Sequence, residues 1–166
     1  MLIKDLKAGQ VLSLSGTIYT ARDQAHKRLI DALNKGKKLP VDLKGQLIYY
    51  CGPTQTPKGK IIGSCGPTTS SRMDEFTPAL LKIGLKGMIG KGNRSEEVVS
   101  AIKKHKAVYF TTFAGCGALL SKFVTEKELI AYKDLGPEAI YKLEVRNFPL
   151  IVAVDSKGRS IFKKTR

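Results

Sequence analysis

The spacing of apolar positions changes period along the chain. Val11–Thr20 (VLSLSGTIYT) alternates apolar and polar residues, the pattern of a half-buried strand. Arg22–Lys35 switches to helical spacing: Ala25, Leu29 and Leu33 fall at i, i+4 and i+8, with Ile30 beside them and Gly36 placed to end the helix. Leu47–Cys51 (LIYYC) and Lys60–Cys65 (KIIGSC) are short strand-like runs, each stopped by Gly-Pro, with Gln55–Gly59 a loop between them. Thr69–Ile83 reads as helical, with Phe76, Leu80 and Ile83 on one face. Pro78 marks either the first turn of a helix beginning near Thr77 or a break in a longer one, because an interior proline costs roughly 3 kcal/mol.

Gly87–Gly90 (GMIG) is a short strand. Ser95 is placed to cap a helix whose first turn carries Glu96 and Glu97 and whose buried stripe is Val98, Val99 and Ile102. Ala107–Thr111 is a strand, and Gly115–Phe123 is a small-residue turn into a short helix. The C-terminal part reads as four strands: Leu129–Lys133, Ile140–Val145, Leu150–Val154 and Ser160–Lys163, with Asp155–Gly158 (DSKG) as the hairpin turn between the last two. Alternating strand and helix in the middle, followed by a strand-rich tail, predicts an α/β domain. It should have one mostly parallel central sheet and a second, antiparallel sheet or hairpin.

Length and composition narrow the class. The 166 residues fit one domain, 1–166, with 42% apolar and 26% charged residues, ordinary for a globular protein. No apolar run is long enough to span a bilayer, and the N-terminus lacks a signal-peptide apolar region, so the expectation is a cytoplasmic protein with no membrane partner. The formal charge of +15 favours acidic partners. Its basic residues are spread along the chain; only the tail, with Lys157, Arg159, Lys163, Lys164 and Arg166, is dense. There is no zinc-finger spacing, no RNP signature and no basic amphipathic helix, so a solvated basic surface is favoured over a nucleic-acid footprint. A basic nucleic-acid-binding module stays as the alternative of another class; it would show strongly salt-dependent binding.

Two segments share four residues, Cys51-Gly52-Pro53-Thr54 and Cys65-Gly66-Pro67-Thr68. With Cys116 they account for all three cysteines, and three thiolates can hold an iron–sulfur cluster. The spacing fits no established ligand set, and Cys51 and Cys65 end apolar runs where a free cysteine acts as a small hydrophobe. The expectation is packing, with no metal ligand on this chain. After the second copy, Thr68 to Ser71 present hydroxyls and backbone N–H groups at a predicted helix start, which favours an anion, and Arg72 follows with a planar fork suited to a carboxylate or phosphate. The P-loop spacing is absent, and spacing alone favours the plainer reading, an N-capped helix with a surface arginine.

The stretch GSCGPTTSSRMDEFTPALL (Gly63–Leu81), with TARDQAHKRL at Thr20–Leu29 and GMIGKG at Gly87–Gly92, resembles the β part of the class I, iron–sulfur-dependent fumarate hydratases. That family includes the β subunit of L-tartrate dehydratase. Gly52–Thr54 (GPT), Gly115–Leu120 (GCGALL) and Phe148–Gly158 (FPLIVAVDSKG) extend the likeness over nearly the whole chain. The resemblance implies a three-layer β/β/α swivelling domain and the reversible hydration of fumarate to L-malate. It implies an α subunit, in an α2β2 heteromer, that holds a 4Fe–4S cluster through three cysteines, its open iron acting as a Lewis acid on the substrate. By the same resemblance, Thr68 matches the catalytic base, and Arg72 and Arg22 match carboxylate-binding arginines. Lys91 matches a lysine at the substrate.

The chemistry suits these residue types. Fumarate is a dianion, so arginine and lysine can fix its carboxylates and stabilise the charge that develops as a proton leaves. A threonine hydroxyl is a weak base and needs activation, which the family draws from an aspartate of the α subunit. The chain alone is then expected to be inactive. L-Tartrate dehydration stays open beside fumarate hydration. His26, one turn beyond Arg22, is a weaker candidate for proton transfer, and Thr54 is expected to shape its turn.

Overall fold

A computed structural model describes residues 3–162. Six strands and four α-helices follow in the order β1 (Val11–Thr20), α1 (Asp23–Asn34), β2 (Leu47–Tyr49), α2 (Thr77–Lys82), β3 (Gly87–Gly90), α3 (Glu96–His105), β4 (Val108–Thr111), α4 (Gly117–Leu120), β5 (Val124–Ala131) and β6 (Ile140–Val154). The first four strands run parallel, β1 to β2 to β3 to β4, each joined to the next through a helix. Long β6 is antiparallel to β1, β4 and β5, so β1, β2, β3, β4 and β6 close into a hydrogen-bonded ring with β5 attached outside it. The expected antiparallel strands are therefore continuous with the parallel ones in one sheet.

The two-residue period of each strand sends alternate side chains into two different cores. Ile48, Met88 and Tyr109 face the helices and pack with Ala25 and Leu29 of α1, Leu80 and Leu81 of α2, and Val98 and Ile102 of α3. Their neighbours Tyr49, Ile89, Val108 and Phe110 face the other way and pack with Leu143, Val145, Phe148, Leu150 and Val152 of β6. Strands buried on both faces read as continuous apolar runs, which is why they were short and clear in the sequence.

Several boundaries differ from the sequence reading. Lys60–Cys65 is not a strand. It is a loop held by single bonds, Thr54 N–H to the Ser64 carbonyl (2.9 Å) and Cys65 N–H to the Gly117 carbonyl (3.1 Å), and a Cβ on Gly63 would overlap the Thr54 carbonyl. Thr69–Ile83 is not one helix: a 3-10 turn (Ser70–Met73) precedes α2, which starts at Thr77 with Pro78 in its first turn, where a proline's missing N–H costs nothing. β5 begins at Val124, and its end at Ala131 is set by Tyr132, whose φ is 59°. The two segments Ile140–Val145 and Leu150–Val154 are one strand. Asn147 reads as a break but takes φ 54°, a conformation asparagine tolerates, inside a bulge of β6 where Arg146 and Asn147 stand opposite the single Ser15 of β1. The Asp155–Gly158 turn forms, with Gly158 N–H to the Asp155 carbonyl at 2.8 Å, but among the described residues beyond it there is a single isolated bridge, Ser160 to Val154, with Ile161 N–H donating to the Ala153 carbonyl at 3.0 Å. Lys163, the end of the fourth predicted strand, lies outside the described residues.

The ends of the described chain are clasped by Asp155. Its fully buried carboxylate accepts the Ala8, Lys157 and Arg159 N–H groups and Arg159 Nε, at 2.8–3.2 Å. Burial alone would raise its carboxyl pKa; those donors outweigh it and hold the value below the ordinary 3.8. No helix among the described residues is long and apolar enough to cross a membrane.

Candidate functional site

In α/β folds, whether the sheet is open or closed, ligands collect beyond the carboxyl ends of the parallel strands. Here β1 ends at Thr20, two residues before Arg22; β2 ends at Tyr49, just before the first CGPT segment; and β3 ends at Gly90, just before Lys91. The second CGPT segment is drawn to the same edge. Thr68 N–H donates to the Tyr50 carbonyl (2.7 Å), Thr69 bridges Lys91 in parallel, and Ser70 N–H donates to the Lys91 carbonyl (2.9 Å). A Cβ on Gly90 would overlap Ser70 Oγ, so this close seam requires glycine there. The Tyr109 hydroxyl lies 2.9 Å from Ser70 Oγ and 2.8 Å from the Gly92 carbonyl, tying the loop around Lys91 to β4. Thr68 and Lys91 are half-buried.

Arg22 and Arg72 meet at one carboxylate. Asp23 accepts from Arg72 Nε at 2.9 Å on Oδ1 and from Arg22 Nε at 3.3 Å on Oδ2. Glu138 stands 3.6 Å from Arg22 Nε and caps the Gln24 N–H at 2.8 Å. Partial burial would raise the Asp23 carboxyl pKa, but its own backbone N–H, Arg72 and Arg22 together keep it below 3.8. The first CGPT segment makes room for this arrangement: a Cβ on Gly52 would stand 3.0 Å from Cδ and Nη1 of Arg22 and 3.2 Å from the Pro137 carbonyl. Thr54 instead closes its own loop, accepting Ser64 N–H at 2.9 Å.

The helix start expected to receive an anion after Thr68 is absent. The segment is a four-residue 3-10 turn, and the Thr68 and Ser70 N–H groups already bond to Tyr50 and Lys91. Positive charge at this edge therefore comes from side chains: Arg22, Arg72 and Lys91.

His26 does not reach the surface. Its ring is fully buried between Tyr50 and Phe76, with Nδ1 2.9 Å from the Arg22 carbonyl. Because a carbonyl only accepts, Nδ1 carries the proton, and Nε2 is left without a partner. Burial first, and the Arg94 charge, push its pKa down to about 4. It supports Arg22 from beneath and stays neutral. Arg94, which the sequence reading passed over, is buried under the same edge. It bonds Asp74 (2.6 Å) and Thr77 (2.7 Å) and stacks over the rings of Tyr50 and Tyr109. One surface groove, about 650 Å³, runs between Pro57–Ser64 and Ala118–Val124, away from these charged residues.

Cys51 and Cys65 do not suit an iron–sulfur cluster. Cys51 and Cys65 are fully buried in the apolar core facing β6, and burial raises both thiols, Cys65 to about 12. A cluster binds thiolates, which this surrounding disfavours. Among the described residues, no three His, Cys, Asp or Glu side chains gather as a metal site.

Residues 1–165 match the family model described as the fumarase C-terminus. The chain is 40% identical over 168 aligned residues to the "Putative L(+)-tartrate dehydratase subunit beta" of Methanocaldococcus jannaschii, covering 98% of this chain and 86% of that protein. It is 43% identical over 155 residues to "Fumarate hydratase class I, anaerobic" of Escherichia coli K12, covering 92% of this chain but 28% of that one. With "Fumarate hydratase 2" of Leishmania major the identity is 39% over 159 residues, again 28% of the relative. The chain thus spans most of one relative and little more than a quarter of the others.

Proposed function

Because the chain belongs to the fumarase C-terminus family, we propose that it is the β subunit of a class I hydro-lyase that interconverts fumarate and L-malate. One observation carries the reading. Two arginines 50 residues apart in the chain share a single carboxylate at the carboxyl ends of the parallel strands, beside the seam where Thr69 and Ser70 pair with Lys91. Two guanidiniums and an ammonium at one edge suit a substrate with two carboxylates.

In this reading Arg22 and Arg72 grip substrate carboxylates, their planar N–H forks matching carboxylate oxygens. Lys91 adds a point charge that steadies the electron density released onto a carboxylate as the neighbouring carbon loses its proton. Thr68 Oγ1 takes that proton in dehydration and returns it in hydration. Its main chain, bonded to Tyr50, keeps the hydroxyl at the strand end. A threonine hydroxyl needs a base to activate it, and the partner subunit supplies one. That α subunit also holds the 4Fe–4S cluster, which supplies Lewis-acid chemistry when present. The two cores, one under the helices and one against β6, support a three-layer β/β/α swivelling domain spanning 1–166. The working unit is an α2β2 heteromer in the cytoplasm.

Co-purified with its α partner, the chain should consume fumarate, followed by loss of ultraviolet absorbance, and Arg72→Ala should lower kcat/KM by about 100-fold. Activity of the lone chain, or a normal Arg72→Ala enzyme, would overturn the assignment. The second reading is L-tartrate dehydration, favoured by the name of the Methanocaldococcus relative. The ratio of kcat/KM for fumarate and L-tartrate decides between them.

A further inference from the structure

Asp23 has an ordinary explanation: an acid in the first turn of α1, where the helix dipole favours negative charge. That explanation does not account for its two partners. Its oxygens are divided, Oδ1 to Arg72 and Oδ2 to Arg22, and both arginines bind through Nε. Arg72 belongs to a turn that is otherwise tied to Lys91, and Arg22 precedes α1. The carboxylate therefore joins two separate pieces of chain. Asp23 is 18% exposed, Arg22 24% and Arg72 50%, so the clasp sits at the edge of the surface with Arg72 the outermost group.

A guanidinium carries five N–H donors, and a carboxylate that takes Nε leaves the terminal Nη groups for another acceptor. Among the described residues, no hydrogen bond engages Nη1 or Nη2 of either arginine. A carboxylate between two guanidiniums also offsets their mutual repulsion, which otherwise drives such side chains apart. We propose that Asp23 is a positioning residue: it fixes both arginines by their Nε groups and turns the Nη edges of both toward an incoming dicarboxylate. This rests on the functional reading above and assigns the residue that orients its carboxylate-binding pair.

The test uses the α–β complex and compares Asp23→Ala, Asp23→Asn and Asp23→Glu with Arg72→Ala and the double variant Asp23→Ala/Arg72→Ala. Misplacing a binding group by about 1 Å costs up to 100-fold, so Asp23→Ala should raise KM for the dicarboxylate roughly tenfold or more, with a smaller fall in kcat. Asp23→Asn, which keeps the shape and loses the charge, should fall between it and wild type, and Asp23→Glu should recover part of the loss. The double variant should lose less than the product of the two single losses, because both act through Arg72. Arginine Nε–H resonances of the lone chain give a readout independent of turnover: those of Arg22 and Arg72 should shift in Asp23→Asn. An unchanged KM in Asp23→Ala, or losses that multiply fully with Arg72→Ala, overturns the proposal while leaving the functional reading in place. A normal Arg72→Ala enzyme removes both.

Discussion

Arg22 is steadied from two sides, by a residue with no side chain and by one that carries no charge at neutral pH. Gly52 is needed for space: Gly52→Ala should displace the Arg22 arm, raising the KM of the α–β complex about tenfold. A thermal melt should change little, because the arm is flexible and only the Pro137 carbonyl must give. His26 holds the Arg22 carbonyl, and its pKa of about 4 lies below the ordinary 6.5. The unfolded chain therefore binds a proton that the folded chain refuses as pH falls below 6.5, and the protein loses stability between pH 6.5 and 4. For this group alone the loss from pH 7.5 to pH 5 is about 2 kcal/mol. Urea unfolding of His26→Leu at those two pH values should show a drop smaller by that amount; an equal drop means the imidazole is not the titrating group. Arg22, Thr68, Arg72 and Lys91 could be singled out as candidates because they sit inside long recognisable motifs. Asp23 was not, since an acid at a helix start already has a sufficient local reason to be there.

At the scale of elements, sequence spacing worked where one local rule decided the outcome. Ser95 caps α3, accepting Val98 N–H at 3.3 Å, and Pro78 starts α2. It failed where a distant partner decided. Lys60–Cys65 has a strand's composition but no neighbour to form a ladder, and β6 runs through Asn147 because it takes up the extra residue as a bulge opposite Ser15 of β1. Arg94 was illegible for the same reason: in the polar stretch Gly92–Glu97 nothing local announces a buried cation. It joins the turn before α2 to the start of α3, where Asp74 also accepts Ser95 N–H at 2.7 Å. Arg94→Ala strands Asp74 and opens a cavity between Tyr50 and Tyr109. It should lower unfolding free energy by about 3 kcal/mol in chemical denaturation. A loss below about 1 kcal/mol would mean that the pair contributes only as a surface salt bridge does.

For the whole molecule, ring closure matters more than any single element. Each ring strand is hydrogen-bonded on both sides over part of its length, whereas β5 pairs only with β6. Glu126, Lys127 and Glu128 give β5 the charged character that discourages further strand addition. Hydrogen exchange followed by mass spectrometry should find amides of Val124–Ala131 exchanging before those of Leu47–Tyr49 and Val108–Thr111. Simultaneous exchange would mean that β5 opens only with the ring.

The same ring sets an order of events during synthesis. β1 is made before β6, yet its longest pairing is with β6, where Tyr19 meets Lys142 and Val11 meets Ile151. β4 also waits for β6 on one side. Contacts so far apart in sequence form slowly and leave apolar strands uncovered until they do. On the ribosome, the nascent chain thus carries Ile18, Tyr49, Ile89 and Phe110 with no β6 to cover them. It should depend on chaperones until β6 emerges, and a fragment stopped before Ile140 should bind them without ever being released as a folded product.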